Sequence, residues 1–303
     1  MKEKRKIFRK MDVFATCLFI IIALYVLSMI FVLGFGLLNS VKSWKDFQRG
    51  NIFGLPNKEY GGWNGWCFSN YVEMLGDFYV PVKIIGQRPR EVYMFEMLWN
   101  SLLYSVCMTF FTILSQIMVA YAVAKYDFKF GKIYYNVAVI VMLIPIVGSL
   151  ASEVQFATTL GLRNNLLGVC LMKCKYTGLY FLVFYAMFKN VSWTYAEAAQ
   201  MDGAGHLRIF IQIMLPLVSS TIASVFVLQF IAIWNDYYTP MIFLPEQPTI
   251  SYGLFMYQSN VNTNMSTPLK LAASLVTCVP IVVLFIIFRN RIMGNVTIGG
   301  IKG

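Results

Sequence analysis

Long apolar runs separated by short polar segments dominate this chain. The run at residues 13–38 holds no charged residue and follows the basic segment MKEKRKIFRK. At about 1.5 Å per residue it is long enough to cross a hydrocarbon layer roughly 30 Å thick. It is too long for a signal-peptide core and lacks a small-residue cleavage site, so we expect a retained first transmembrane helix.

Five further apolar runs predict an all-α polytopic membrane protein with six transmembrane helices. These runs cover residues 98–124, 133–150, 166–188, 217–244 and 271–288. The fourth is ambiguous because it contains Lys173 and Lys175, whose charges are costly at the bilayer centre. One interpretation is a broken or re-entrant entry followed by a shorter helix from about Tyr176. The other is a span that begins after Lys175, with residues 166–172 on the outer surface.

Composition agrees with this pattern. The 303 residues are 58% hydrophobic and 13% charged, with a mean hydropathy of +0.63, which excludes an ordinary soluble protein. The six cysteines show no disulfide framework. His206 is the only histidine and no CxxC pair is present, so we expect no metal site and a surface position for His206.

The net charge of +11 is unevenly distributed between the two sides of the membrane. With the N-terminus inside, the inner segments carry fourteen Lys and Arg against five acids, whereas the outer segments carry nine against eight. The positive-inside rule therefore predicts cytoplasmic termini, at residues 1–12 and 289–303. The excess lies beside membrane spans, so we expect lipid and no nucleic acid as its partner.

Residues 39–97 form a long outer loop rich in Trp, Gly and Asn. Its character is too loop-like to predict a separate domain. The tryptophans at 44, 63, 66 and 99 are explained better by an interfacial aromatic belt than by stacking on sugars.

The sequence lacks the motifs of several classes of enzyme and carrier. The P-loop motif, G-x-x-x-x-G-K-[ST], is absent. Gly131 and Lys132 match its centre, but Tyr126 stands where the first glycine is required and Ile133 where Ser or Thr is required. There is no HExxH zinc motif and no GxSxG elbow. Asp236 is the only carboxylate inside a predicted span, whereas ion-coupled carriers use several. The sequence therefore predicts a transport conduit that is not an enzyme and takes its energy from another protein.

Residues 192–217 connect the fourth and fifth predicted spans. Glycine and proline residues interrupt the apolar pattern of this segment. Thr194 followed by Glu197 predicts a capping box and a helix from about Tyr195. Glycines at 203 and 205 break that helix, and Pro216 ends a second one. Periodicity alone also fits an ordinary amphipathic helix on the membrane surface.

The residue order in this segment resembles the EAA loop of ATP-binding-cassette importer permeases. That pattern is EAA, three residues, G, nine residues and I-x-L-P, and both spacings match here. In that family the loop contains a coupling helix that docks on a separate cytoplasmic ATPase. The resemblance assigns ATPase coupling to Glu197, Ala198, Ala199, Asp202, Gly203, Ala204, Ile213, Leu215 and Pro216.

The resemblance also assigns individual roles within the loop. Glu197 is the acidic contact to the ATPase. Ala198 and Ala199 form a small face that permits close approach. Gly203 makes the turn.

Other stretches resemble the carbohydrate importers that include the maltose-type second permease subunit. They are Asn100-Ser101, Ala120-Tyr121-Ala122, Met142-Leu143-Ile144-Pro145, Trp234-Asn235-Asp236 and the glycine-rich C-terminus. The resemblance implies the type I importer fold and covers nearly the whole chain. It makes Gly299, Gly300, Lys302 and Gly303 a second ATPase contact. Residues 76–96 depart from the family as an apparent insertion in the outer loop.

The function this implies is ATP-driven, binding-protein-dependent import of a sugar or oligosaccharide by alternating access. The implied partners are a second homologous permease, two cytoplasmic ATPase subunits that bind ATP and Mg, and an extracytoplasmic solute-binding protein. The implied location is the bacterial inner membrane. An ion-coupled secondary transporter, or an importer of glycerol phosphate, a polyol or another small solute, remains an alternative.

Polar and aromatic residues inside predicted spans are the candidates for the translocation path. A polar side chain in an apolar span faces protein or water. Aromatic and amide groups suit a sugar, although interfacial anchoring explains the same aromatics equally well. The candidates are Pro145, Ser149, Trp234, Asn235, Asp236 and Tyr237.

Overall fold

A computed structural model describes residues 13–62, 64–83, 86, 88–144, 148–259 and 266–296. The predicted cytoplasmic N-terminus 1–12, Pro145 and the tail residues Gly299, Gly300, Lys302 and Gly303 lie outside this description. The elements are α1 (Val13–Ser40), α2 (Trp44–Gln48), α3 (Ser69–Asp77), β1 (Tyr79–Val82), β2 (Arg90–Tyr93), α4 (Met94–Lys125), α5 (Lys129–Leu143), α6 (Leu150–Thr159), α7 (Leu166–Lys173), α8 (Leu179–Asn190), α9 (Thr194–Met201), α10 (His206–Ile209), a π-helical turn (Phe210–Met214), α11 (Leu215–Leu217), α12 (Ser219–Trp234), α13 (Tyr238–Phe243), α14 (Ile250–Ser259) and α15 (Thr267–Val296).

Within the described residues, three helices are long and apolar enough to cross a membrane. They are Phe14–Ser40, Met94–Lys125 and Thr267–Arg289. A bent pair, His206–Leu217 with Ser219–Trp234, adds a fourth if the two count as one span. The first, second and sixth predicted spans are therefore single long helices, whereas the other three predicted segments form shorter or interrupted helices.

The fourth predicted segment is broken between α7 and α8. Both interpretations of its sequence place a shorter helix after Lys175, and α8 begins at Leu179. Lys173 ends α7, forms an ion pair with Glu153 of α6 and lies 4.3 Å from the centroid of the Phe243 ring. Its charge is therefore compensated by a partner twenty residues earlier in the chain, which the local sequence does not indicate.

The described residues divide into two compact units, those within 1–77 and 261–276 and those within 78–260 and 277–303. In the first unit, the segment after α1 is more ordered than its loop-like sequence predicts. The buried Lys42 donates hydrogen bonds from Nζ to the carbonyl oxygens of Asn51 (2.7 Å) and Ile52 (3.0 Å). Burial lowers the pKa of Lys42, and the nearby carboxylate of Asp46 opposes this shift. Asn70 Nδ2 ties the same segment to α1 by donating to the carbonyl oxygen of Ser40 (2.7 Å).

The second unit contains the one strand pair among the described residues, and it falls in the insertion at 76–96. β1 and β2 pair antiparallel, with Tyr79 opposite Tyr93 and Val82 opposite Arg90. Val80, Val82 and Val92 are buried in the alternating pattern of a half-buried hairpin. This hairpin is a small addition to a chain that is otherwise mostly helical, as the sequence predicts, and its Pro81 is exposed.

The helix α4 is the centre of the second unit, and its most extensive contacts are with α8 and α12. Its buried stripe includes the small polar residues Ser101, Ser105, Thr109 and Thr112. Small side chains let membrane helices approach closely, and this stripe gives the buried side of α4 that property.

Replacing the buried ammonium group tests the order of the outer segment. Lys42→Met leaves two carbonyl oxygens without their charged donor, and we expect a local loss of about 3 kcal/mol. Hydrogen–deuterium exchange of residues 42–57 measures it. The control is Lys45→Met on the exposed side of α2, and equal exchange in the two variants would contradict the role given to Lys42.

Candidate functional site

The loop that follows α8 begins with α9. This helix does not start in the way that its sequence predicts. Thr194 lies inside α9, and no side chain caps this helix. The hydroxyl of Thr194 is 2.7 Å from the hydroxyl of Ser192, which also accepts from the Thr194 amide at 3.3 Å. The predicted capping box of Thr194 and Glu197 is therefore wrong, because Ser192 engages the threonine. The Glu197 side chain stays exposed, available to a partner.

The end of α9 depends on Gly203. Its φ is +79°, a left-handed conformation that favours glycine. The amide of Ala204 donates to the carbonyl of Ala199 (2.9 Å) and the amide of Gly203 to that of Gln200 (2.9 Å). This pair of bonds is a Schellman motif, which satisfies the last carbonyls of the helix. Gly203 therefore makes the turn that the sequence predicts.

The two alanines of the predicted small face lie on different faces of α9. Ala196 and Ala199 are buried in a core cluster with Phe188, Phe210 and Met214. Ala198 is exposed, so Ala198 and Ala199 do not share one face. The small side chain of Ala199 lets α9 approach its own chain, and the contact of both alanines with a partner stays a prediction.

The exposed face of α9 carries apolar side chains that the motif does not contain. Tyr195 is 54% exposed, Met201 89% and Leu207, just beyond the turn, 71%. Tyr195 and Met201 each lie three residues from Ala198, and this spacing is the helical signal that identifies the face in the sequence. Asp202 and Glu197 flank it, so the surface is apolar at its centre and acidic at its edge.

The exit of the loop is a continuous curved path into α12. The short helix α10 continues into a π-helical turn and α11, and the chain then bends by 76°. Pro216 lies within α11 instead of ending the unit, and the break comes at Val218. Ile213 and Leu215 are half-buried against the same core as Ala199.

The aromatic residue Tyr126, just after α4, joins the entry and exit of this loop. Its ring lies 5.9 Å from that of Trp193 and 5.7 Å from that of His206. The tyrosine hydroxyl is 3.1 Å from Nδ1 of His206. His206 is exposed, as the sequence predicts, and it contacts α4 through this tyrosine.

The carboxylate of Asp236, a predicted path residue, accepts hydrogen bonds from backbone amides. Its Oδ1 accepts from the amides of Tyr238 and Thr239, each at 3.0 Å, and Oδ2 accepts from the Tyr104 hydroxyl at 3.2 Å. These bonds supply partners for the first amides of α13. The carboxylate therefore starts a new helix after α12 and fixes its position on α4.

The neighbours of Asp236 border a cavity of about 240 Å³. The ring of Tyr237 stacks on that of Phe255 at 4.4 Å and 13°, and Asn235 is exposed beside them. None of the cavity-lining side chains carries a charge: they are Trp234, Asn235, Tyr237, Ser251, Leu254, Phe255, Gln258, Thr277, Cys278 and Ile281. Phe255 and Gln258 are not among the residues that the sequence predicts, because α14 lies outside the predicted spans.

The predicted path residue Ser149 lies elsewhere. Its hydroxyl donates to Glu153 at 2.7 Å, and Glu153 is the partner of Lys173. The structure thus brings Trp234, Asn235 and Tyr237 to one cavity and places Ser149 in an ion-pair network between α6 and α7. The described residues bring no three His, Cys, Asp or Glu side chains together as a metal site.

Comparison with known proteins gives consistent results. Residues 116–296 match the family model described as binding-protein-dependent transport system inner membrane component. The chain is 31% identical to the arabinooligosaccharides transport system permease protein of Halalkalibacterium halodurans, over 67% of this chain and 73% of that protein. It is 25% identical to the diacetylchitobiose uptake system permease protein of Streptomyces coelicolor, over 87% and 81%.

A solved structure shares the fold. It is a chain from a bacterial ABC transporter involved in the import of the acidic polysaccharide alginate, with a TM-score of 0.69 and 19% identity. The alignment covers 93% of this chain and 97% of that chain. The fold described above is therefore that of a known importer.

The two glycines of the loop provide a matched test of its turn. Gly203→Ala places a side chain at φ +79°, at a cost of about 1 kcal/mol, although no atom lies within 4 Å of the new Cβ. Gly205→Ala is the control, because Gly205 has φ −72° and equally open surroundings. We expect faster amide exchange at residues 199–204 in Gly203→Ala alone. Identical exchange in both variants would show that the turn does not depend on glycine.

Proposed function

The chain belongs to the family of binding-protein-dependent transport system inner membrane components, and from that premise we propose how it works. It is the membrane-spanning permease subunit of an ATP-driven importer for a sugar or oligosaccharide. It works with a second homologous permease, two ATPase subunits that bind ATP and Mg, and an extracytoplasmic solute-binding protein. ATP hydrolysis on the partner subunits drives alternating access.

The loop of residues 192–217 is the contact to the ATPase in this proposal. The single observation that carries it is the surface of α9, where exposed Tyr195, Ala198 and Met201 lie beside an exposed Glu197. An apolar centre gains free energy by burial in a partner groove. A carboxylate at its edge fixes the register by pairing with a basic side chain.

Movement of this surface reaches the membrane helices through packing. Ala199 lies in the same core cluster as Tyr121 of α4 and Phe188 of α8, so one packed core joins α9 to both helices. The exit of the loop leads through the 76° bend into α12, whose last residue, Trp234, lines the uncharged cavity. Closure of the ATPases therefore tilts α12 and moves one wall of the cavity.

The cavity supports a neutral carbohydrate as the substrate. The stacked rings of Tyr237 and Phe255 present an aromatic surface, and the Asn235 side chain lies beside it. A phosphorylated or carboxylated solute would lack a cation among the lining residues. The commitment of Asp236 to backbone amides also disfavours an ion-coupled carrier, which needs that carboxylate for its ion.

The proposed topology places the loop of α9 and both termini in the cytoplasm. The uneven distribution of Lys and Arg supports this orientation. The tail residues Gly299, Gly300, Lys302 and Gly303 remain predicted as a second ATPase contact.

Charge reversal in the loop tests the coupling role. We expect Glu197→Lys to insert normally and to reduce uptake by at least about tenfold, because the reversed charge repels the basic partner. Copurification from native membranes, read by mass spectrometry, should show loss of the ATPase. Glu59→Lys changes the same charge on an exposed outer residue and should retain uptake and ATPase. Normal transport by Glu197→Lys would contradict the assignment.

Removing one ring tests the cavity. Phe255→Ala abolishes the stack with Tyr237, and we expect a roughly fivefold rise in the KM for uptake of a neutral oligosaccharide. The probes are arabinotriose and diacetylchitobiose, with digalacturonate as the charged comparison. Phe285→Ala, at an exposed position of α15 that does not line the cavity, is the control. An unchanged KM in Phe255→Ala, or preferred uptake of digalacturonate, would refute a neutral sugar site.

A further inference from the structure

A second cavity, which we call the lysine cavity, lies at the turn between α4 and α5. It shares no lining residue with the cavity beside Tyr237 and Phe255. Its volume is about 510 Å³, and it is lined by residues 123–128 and by Gly131, Lys132, Tyr135, Asn136 and Tyr185. Lys125 and Lys132 are the two basic residues among its lining residues. Lys189 places a third cation 5.6 Å from the centroid of the Tyr185 ring.

The charge of this cavity is only partly compensated. Lys125 donates to the carbonyl oxygen of Val191, which is neutral. Lys132 lies 3.9 Å from Asp127, and both side chains are exposed, so this pair is weak. Asp127 is the one acidic residue among the lining residues. The cavity is therefore suited to an anion, with amide and phenol groups beside the lysines.

An apolar groove of about 320 Å³ adjoins the lysine cavity. The two share Val123 and Phe128 as lining residues. The groove is otherwise lined by Met118, Val119, Ala122, Phe130 and Tyr134, and the Tyr134 hydroxyl interacts with the carbonyl of Tyr176 at 3.3 Å. A cationic cavity that continues into an apolar groove fits a ligand with an anionic head and a hydrocarbon chain.

We propose that this composite site binds one anionic phospholipid. Its phosphodiester lies between Lys125 and Lys132, and one acyl chain occupies the groove between α4 and α5. A free phosphate would leave the groove empty. A lipid with a zwitterionic head group would place its own cation among the lysines. In the proposed topology the site faces the cytoplasmic leaflet, where anionic lipids attract juxtamembrane lysines.

The bound lipid would stabilise the coupling loop. Tyr126 lines the lysine cavity and contacts both Trp193 before α9 and His206 after it. Lys125 holds the carbonyl of Val191, the residue that follows α8. A phosphate that orders Lys125 and Tyr126 thereby orders both ends of the loop. This consequence for transport rests on the proposed function, whereas lipid binding does not.

The test uses the full chain, purified with its copurifying subunits into nanodiscs. The nanodiscs contain phosphatidylcholine with or without phosphatidylglycerol, and native mass spectrometry measures the lipid retained on the chain. We expect the chain to retain one phosphatidylglycerol. Its affinity should fall about fivefold in the single variant Lys132→Gln, and about fivefold again in the double variant that combines Lys125→Gln with Lys132→Gln. Lys129→Gln, on the first turn of α5 but not lining the cavity, is the control and should retain it.

Three results would overturn the proposal. They are equal retention of phosphatidylcholine and phosphatidylglycerol, equal retention by the Lys132→Gln and Lys129→Gln variants, and displacement of the lipid by inorganic phosphate, which would indicate a phosphate site. In the same nanodiscs, phosphatidylglycerol should raise the sugar-stimulated ATP hydrolysis of the complex. Specific retention without that stimulation would leave the lipid site in place and count against its action on coupling.

Discussion

The need to pair every backbone polar group in a lipid environment governs this structure. An unpaired amide or carbonyl costs several kcal/mol there, so a helix can stop only where other groups replace its lost partners. The chain stops its helices often. After α12, Asp236 supplies acceptors for the first amides of α13. Outside the membrane in the proposed topology, the turn at Gly203 closes α9 with two backbone hydrogen bonds. Glu153 compensates the charge of Lys173 where α7 ends.

The surfaces to which we assign coupling and substrate binding lie at these breaks. The turn at Gly203 and the bend at Val218 direct α9 away from α12 while leaving the two covalently continuous. The interruption at Asp236 leaves Asn235 and Tyr237 at the edge of a cavity instead of on a helix face packed in the core.

The packing of α4 unites the two functional regions. One end of this helix contributes Tyr121 and Tyr126, which contact the elements around α9. Toward its other end, Tyr104 donates to Asp236. Small polar residues between them allow α8 and α12 to approach closely. A close-packed helix transmits displacement because it has little free volume to absorb it.

The sequence by itself determined the class of this protein. Apolar runs long enough to cross a membrane, the ordered spacing from Glu197 through Gly203 to Ile213, and the asymmetry of Lys and Arg are local or additive properties that need no tertiary contacts. The family assignment, which rests on the resemblance of that ordered motif to the importer permeases, is confirmed, as is the turn at Gly203, whose conformation depends on its own backbone. Only the tertiary structure decided which face of α9 each alanine occupies, that Asp236 serves the backbone, that Phe255 joins Tyr237, and that Lys173 is neutralised by Glu153. Each of these depends on which distant segments meet, and hydrophobic periodicity carries no information about that choice.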